Sequence, residues 1–255
     1  MPVMDEFREE RRAIKNGTLR QKATYFLDYY KWHVIIGVIV VAAAASFLYQ
    51  LATSRDTALY AVLLNGSSKE FLAEETEYTG DFAEYAGIDE KEYQILYDAS
   101  IHVGDGAADE YSSVQKLMVY IAAADLDVMV SDPDSLLRYA YQQNFYDLRD
   151  ILSQEQLTRY ADSFYYIDLA VAKAHEAANE ANNYDYIPVY GDPHHPEDME
   201  EPVPAGIFLP QDCPLLENYY FPGNELAACV LINTQHPETA LRFLDYLANV
   251  SVVSD

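Results

Sequence analysis

The chain has 255 residues, half of them hydrophobic, and a formal net charge of −26. Residues 56–255 hold 8 of the 16 Lys and Arg and 37 of the 42 Asp and Glu, a net of −29. So acidic a region repels nucleic acid and anionic lipid surfaces, which argues against both as its partners, and its apolar content is too high for a disordered chain.

Residues 1–33 read as a short cytoplasmic juxtamembrane segment. Asp5 to Asn16 has the character of a highly charged helix ended by Gly17. Leu19, Ala23, Phe26, Leu27 and Tyr30 then recur at helical spacing. That face suits the inner leaflet, a direct continuation into the next segment, or contact with a partner.

Residues 34–52, VIIGVIVVAAAASFLYQLA, carry no charge and are long enough to cross a bilayer as one helix. Arg8, Arg11, Arg12, Lys15, Arg20, Lys22 and Lys31 precede the run, and only Arg55 follows closely. That bias places the N-terminus in the cytoplasm and the long remainder outside, as a single-pass protein of the cell membrane. Tyr25, Phe26, Tyr29, Tyr30 and Trp32 fall at the inner boundary and Tyr49 at the outer one. A cleaved signal peptide competes with this reading, because Ala42 to Ala45 offers small residues. Against it, the leading segment is long for an n-region and the apolar run continues past the alanines. A soluble core helix would show a polar stripe, and this run has none.

The outer region, 56–255, alternates strand and helix signals. Thr57 to Leu64, Tyr93 to Ala99 and Leu126 to Ser131 are short apolar runs of the kind buried inside parallel sheets. Between them, Ser67 or Ser68 can cap a helix bearing Phe71, Tyr78, Phe82 and Tyr85 and ended by Gly87. Asp109 opens another, with Val114, Leu117, Met118 and Ile121 on one face. Asp132-Pro133-Asp134 starts a helix with Leu136, Leu137 and Ala140, and Ser153 caps the one after it. Phe164 to Leu169 is strand-like, Ala170 to Ala181 helical, and Tyr184 to Pro204 a proline-rich loop. Ala205 to Leu209 and Leu226 to Ile232 are further strands, and Pro237 opens a last helix. The alternation predicts an α/β domain with a parallel or mixed sheet and flanking helices.

No G-x-S-x-G, H-E-x-x-H or P-loop is present, so the sequence offers no catalytic residues and calls for no cofactor. The loop YGDPHHPEDMEE holds His194, His195, Glu197 and Asp198, donors that suit a metal such as zinc; a solvated loop is the competing reading. Asp105, Asp109 and Glu110 are oxygen-rich but lack the EF-hand spacing, and a helix N-terminus explains them more simply. Among 23 tyrosines, Tyr139, Tyr141, Tyr165, Tyr166, Tyr186 and Tyr219 are the candidate ligand-binding rings, partial burial being the alternative. Cys213 and Cys229 are compatible with one disulfide or with free thiols.

The segments ELAACVLINTQHPETALRFLDYL (225–247) and LDVMVSDPDSLLRYAYQQNFYDLRDIL (126–152) resemble bacterial extracellular solute-binding proteins of the type 2 periplasmic-binding fold. The resemblance implies a first lobe from 56–131 and 205–255 and a reduced second lobe from 132–204. It also implies a small solute, such as a sugar or peptide, held between the lobes and presented to a transporter or sensed. The second reading is a structural or interaction subunit of a membrane complex, in which the fold is kept and the cleft is lost. The outer region is short for the family, and 132–204 is poor in strand signals.

Overall fold

The computed structural model describes residues 18–53, 55–69, 80–104, 110–183 and 185–251. The helix expected over 5–16, together with Phe71, Tyr78, Asp105, Asp109 and Tyr184, lies outside the described residues. Two compact units divide between Ser54 and Arg55.

The first unit contains one continuous helix, α1 (Leu19–Thr53). The segment holding Leu19, Ala23, Phe26, Leu27 and Tyr30 therefore runs straight into the apolar run. From Trp32 to Tyr49 the helix is long and apolar enough to cross a membrane, and none of that stretch is buried. A helix packed into a soluble core would bury one side.

The second unit is a mixed α/β domain. Its strands are β1 (Asp56–Leu63), β2 (Ser67–Ser68), β3 (Tyr93–Asp98), β4 (Val128–Ser131), β5 (Phe164–Asp168), β6 (Pro202–Phe208), β7 (Tyr219–Tyr220) and β8 (Ala227–Val230). Its helices are α2 (Gly80–Ala86), α3 (Glu110–Ala123), α4 (Pro133–Tyr141), α5 (Leu148–Ile151), α6 (Gln154–Arg159), α7 (Leu169–Glu180), α8 (Leu215–Asn218) and α9 (Pro237–Leu247). Six strands form one sheet in the order β3-β1-β4-β8-β6-β5. β1 pairs in parallel with β3 and β4, as the strand–helix alternation predicts. The other three ladders, β4–β8, β8–β6 and β6–β5, are antiparallel.

Side-chain alternation along each strand builds two cores. Leu59, Ala61 and Leu63 of β1 join Val128 and Val130 of β4 on one face, covered by Phe82 of α2 and Phe243, Leu244 and Leu247 of α9. Val62 and Leu64 join Met129 and Cys229 on the other, covered by Leu117 of α3 and Leu136 and Tyr139 of α4. A strand buried on both faces has no polar positions, which is why TALYAVLL reads as an uninterrupted apolar run.

Local signals hold where a side chain decides them. Asp132 caps α4 by accepting from Ser135 N–H, with Pro133 in the first turn. Ser153 and Gln156 form a capping box at α6. Gly87 ends α2 at φ 66°.

Ser67 and Ser68 form a short strand against Tyr219 and Tyr220, and the start of the helix expected after them lies outside the described residues. Strand β5 hydrogen-bonds to β6 within the main sheet, and the region from Arg55 onward is a single unit.

Candidate functional site

In open α/β sheets, ligands bind beyond the carboxyl ends of strands, where the strand order reverses. Here β3 and β4 flank β1, so that point lies beyond Leu63, Asp98 and Ser131. The chain fills it with its own groups. Asn65 adopts a left-handed conformation, φ 60°, which asparagine tolerates better than most residues. Its Nδ2 donates to Ser135 Oγ at 2.9 Å, and its Oδ1 accepts from Val103 N–H at 2.7 Å. Its backbone N–H donates to Ile101 O at 2.9 Å. Ser131 Oγ donates to Leu64 O at 2.7 Å. One carboxamide thus ties together the segments that leave β1, β3 and β4. Phe221, directly after β7, closes in as well: a Cβ on Gly66 would lie 3.1 Å from its Cε1.

Beside this closed point opens a cleft of about 750 Å³, lined by Asp132, Asp134, Tyr190, Asp192, His194 and Glu225 among others. Most of these groups already serve neighbours. Asp132 accepts from Ser135 N–H at 3.0 Å and from Ser131 Oγ at 3.2 Å. Asp192 accepts from His194 N–H at 3.0 Å. His194 Nε2 lies 3.0 Å from Glu225 Oε2, and its ring stacks on Phe208 with centroids 3.9 Å apart.

None of the six candidate tyrosines lines that cleft. Tyr139, Tyr141, Tyr165 and Tyr219 are buried. Burial raises the phenol pKa of Tyr139, Tyr165 and Tyr219 above its ordinary value. Tyr165 donates to Pro133 O at 3.0 Å. Tyr141 Oη accepts from the N–H groups of Asp168 and Gly191, each at 3.2 Å, and its ring stacks on Tyr190. Tyr166 is half-buried against the edge of Phe164, and Tyr186 is half-buried with its ring facing His175. The rings pack the domain, and the hydroxyls of Tyr165 and Tyr141 serve backbone groups.

The metal candidates diverge. His195 turns its Nδ1 to Glu197 at 2.9 Å, while His194 turns to Glu225. The His195–Glu197 hydrogen bond raises the imidazole pKa and lowers that of the carboxyl. Asp198 ends the short 3-10 turn Pro196–Asp198. Among the described residues, no three His, Cys, Asp or Glu side chains converge as a metal site would require. Cys213 and Cys229 are both free and buried. Burial pushes both thiols up, Cys213 to about 11.

Sequence reasoning passed over three buried carboxylates. Burial opposes the charge of Asp98, but hydrogen bonds from Lys116 Nζ at 2.8 Å and from Ser100 N–H and Oγ at 2.8 and 2.6 Å hold it below the ordinary carboxylate range. Asp168 is held low in the same way, against burial, by the N–H groups of Glu200, Glu201 and Ala170. Asp127 accepts from Tyr60 N–H at 2.7 Å and from the Thr234 hydroxyl, and faces His236 Nδ1 at 3.2 Å. All three lie within or beside the apolar strand runs YQILYD, LDVMVS and FYYIDL. That position is itself a signal, because a carboxylate buried there needs several donors.

A second cleft, about 710 Å³, opens where β1 and β3 begin. Asp56, Thr57, Asp89, Tyr93, His236, Thr239 and Arg242 contribute to its lining.

Comparison with known protein families, with curated proteins and with solved structures gives no match.

Proposed function

We propose that this chain is a membrane-anchored, non-catalytic interaction subunit. Its α/β domain keeps a solute-binding-like fold without an interlobe ligand cleft, on the outer side of a bacterial membrane. The observation that carries the reading is the closure at the carboxyl ends of β1, β3 and β4, where Asn65 occupies the place a solute would take. The incorporation of β5 into the single six-stranded sheet supports it, since a strand of 132–204 is held in the same sheet as β1 and β4.

Helix α3 supplies a surface for a partner. Its 14 residues include only one carboxylate and one lysine, in a region of net charge −29. Tyr111, Met118 and Val119 on it are exposed. An uncharged, partly apolar face on so acidic a domain suits a protein partner that buries it.

Two measurements test the proposal. Thermal unfolding of the full-length chain is followed against sugars, peptides and amino acids, and the expected response is flat. A ligand at a hundred times its Kd would add about 2.7 kcal/mol. A photo-crosslinker at Met118, in the native membrane, is expected to give one discrete protein adduct that the same probe at Lys173 does not. A saturable shift with sugars, peptides or amino acids, abolished by Asp192→Asn, overturns the proposal in favour of solute recognition in the cleft beside Tyr190.

A further inference from the structure

We infer that the cleft where β1 and β3 begin binds a phosphate group that carries its own ammonium, the chemistry of phosphoethanolamine.

Four of the cations in the outer region are paired with carboxylates: Lys116 with Asp98, Arg149 with Asp147, Arg159 with Glu155 and Asp245, and Lys173 with Glu201. Arg242 and Arg55 are placed differently. Arg242 Nη1 donates to Ala86 O at 3.0 Å, and Arg55 Nη1 donates to Glu90 O at 2.6 Å. Both guanidiniums flank the 86–90 turn and have no carboxylate partner among the described residues. Arg242 lines the cleft with donors to spare, in the planar fork that suits an oxyanion.

His236 is the second element. Asp127, fully buried, faces Nδ1, and Tyr60 N–H and Thr234 hold that carboxylate in place. The other ring nitrogen, Nε2, has no partner among the described residues, and the ring lines the cleft. The ring stands in the same wall as the Arg242 fork, with the Thr239 hydroxyl a further donor there. Asp56 and Asp89 line the cleft as well. They repel a bare anion and complement an ammonium, so the fitting ligand is a phosphate with an amine attached. A volume of about 710 Å³ accommodates such a group.

A lipid headgroup and a free phosphoethanolamine ester share this chemistry.

The test uses the full-length chain in a nonionic detergent, titrated with glycerophosphoethanolamine, inorganic phosphate and ethanolamine. Glycerophosphoethanolamine is expected to raise the melting temperature saturably and to bind more tightly than either fragment. Arg242→Lys, which keeps the charge and loses the fork, and His236→Gln each weaken binding roughly tenfold. Asp134→Asn, in the other cleft, leaves it unchanged. Repeating the titration in nanodiscs separates the sources. Binding that persists in phosphatidylglycerol discs and disappears in phosphatidylethanolamine discs shows the lipid already in the site. Binding in both shows a soluble ester. No saturable response by about 10 mM ligand, equal binding by both variants, or inorganic phosphate binding as tightly overturns the inference.

Discussion

Asn65 Nδ2 lies 2.9 Å from Ser135 Oγ, joining the turn after β1 to the first turn of α4. The same side chain accepts from Val103 N–H at 2.7 Å, so its loss removes the donor to Ser135 Oγ and the acceptor of Val103 N–H. Asn65→Ala is expected to destabilise the domain by about 2–3 kcal/mol, combining lost hydrogen bonds with alanine's poorer tolerance of a positive φ. Asn65→Gly loses the same hydrogen bonds but relieves the Cβ strain at that φ, and should cost less. Urea unfolding of both variants checks the order. Equal stability of wild type and Asn65→Ala would mean the carboxamide does not hold the three segments together.

The Asp98–Lys116 pair sets a pH dependence. The Asp98 pKa is lowered on folding, so the stability it contributes is present above the unfolded value near 3.9 and is lost as pH falls through the lower folded value. Lys116→Met leaves the carboxylate buried without its cation, and burial, the largest influence on it, then pushes its pKa upward. The variant is expected to lose about 1–3 kcal/mol at neutral pH, discounted for the partial exposure of Lys116. Its acid-side loss of stability should be smaller than that of wild type, so the two profiles converge as pH falls. Melting temperature measured from pH 2 to 7 reads both effects, and superimposable profiles would refute them.

Local order was legible because single residues decide it. Asp132, Ser153, Gly87 and Pro237 mark helix ends by hydrogen bonding or fixed φ, and each stands where the sequence puts it. The direction of β8 and β6 was not legible, since strand runs such as AACV read the same either way. Their antiparallel packing depends on Gly206, where a Cβ would meet Cys229 Sγ at 2.5 Å and Ala228 O at 2.6 Å. That contact joins residues more than twenty positions apart and leaves no local pattern. The role of the candidate tyrosines was not legible for a related reason: a ring with a polar tip serves a ligand or a buried backbone group equally well, and Tyr141 and Tyr165 serve Gly191 and Pro133.

Both thiols should be silent in the native state. Cys213 and Cys229 are buried, unbridged and raised in pKa by burial, so neither presents thiolate at neutral pH. A thiol-reactive chromophore is expected to register no reaction with the folded chain over minutes and two equivalents in guanidinium. Rapid labelling of the native protein would show that the core around β8 opens. An unchanged melting temperature after reductant treatment checks the same point from the other side, since no disulfide is there to lose.

The anchor gives the last prediction. Helix α1 presents an uncharged surface from Trp32 to Tyr49, and an arginine near its midpoint costs about 2.5–3.5 kcal/mol of membrane insertion. The wild-type chain should stay in the membrane pellet through alkaline carbonate and keep its N-terminal residues. Val41→Arg should shift part of the population to the supernatant. In intact cells or spheroplasts, a cysteine-directed impermeant label should reach Asp185→Cys, in an exposed loop of the α/β domain, and fail to reach Asn16→Cys. The opposite labelling pattern would invert the topology. A mature chain beginning after Ala45 would show that the apolar run is a cleaved leader, and the domain would then meet its partner without a tether.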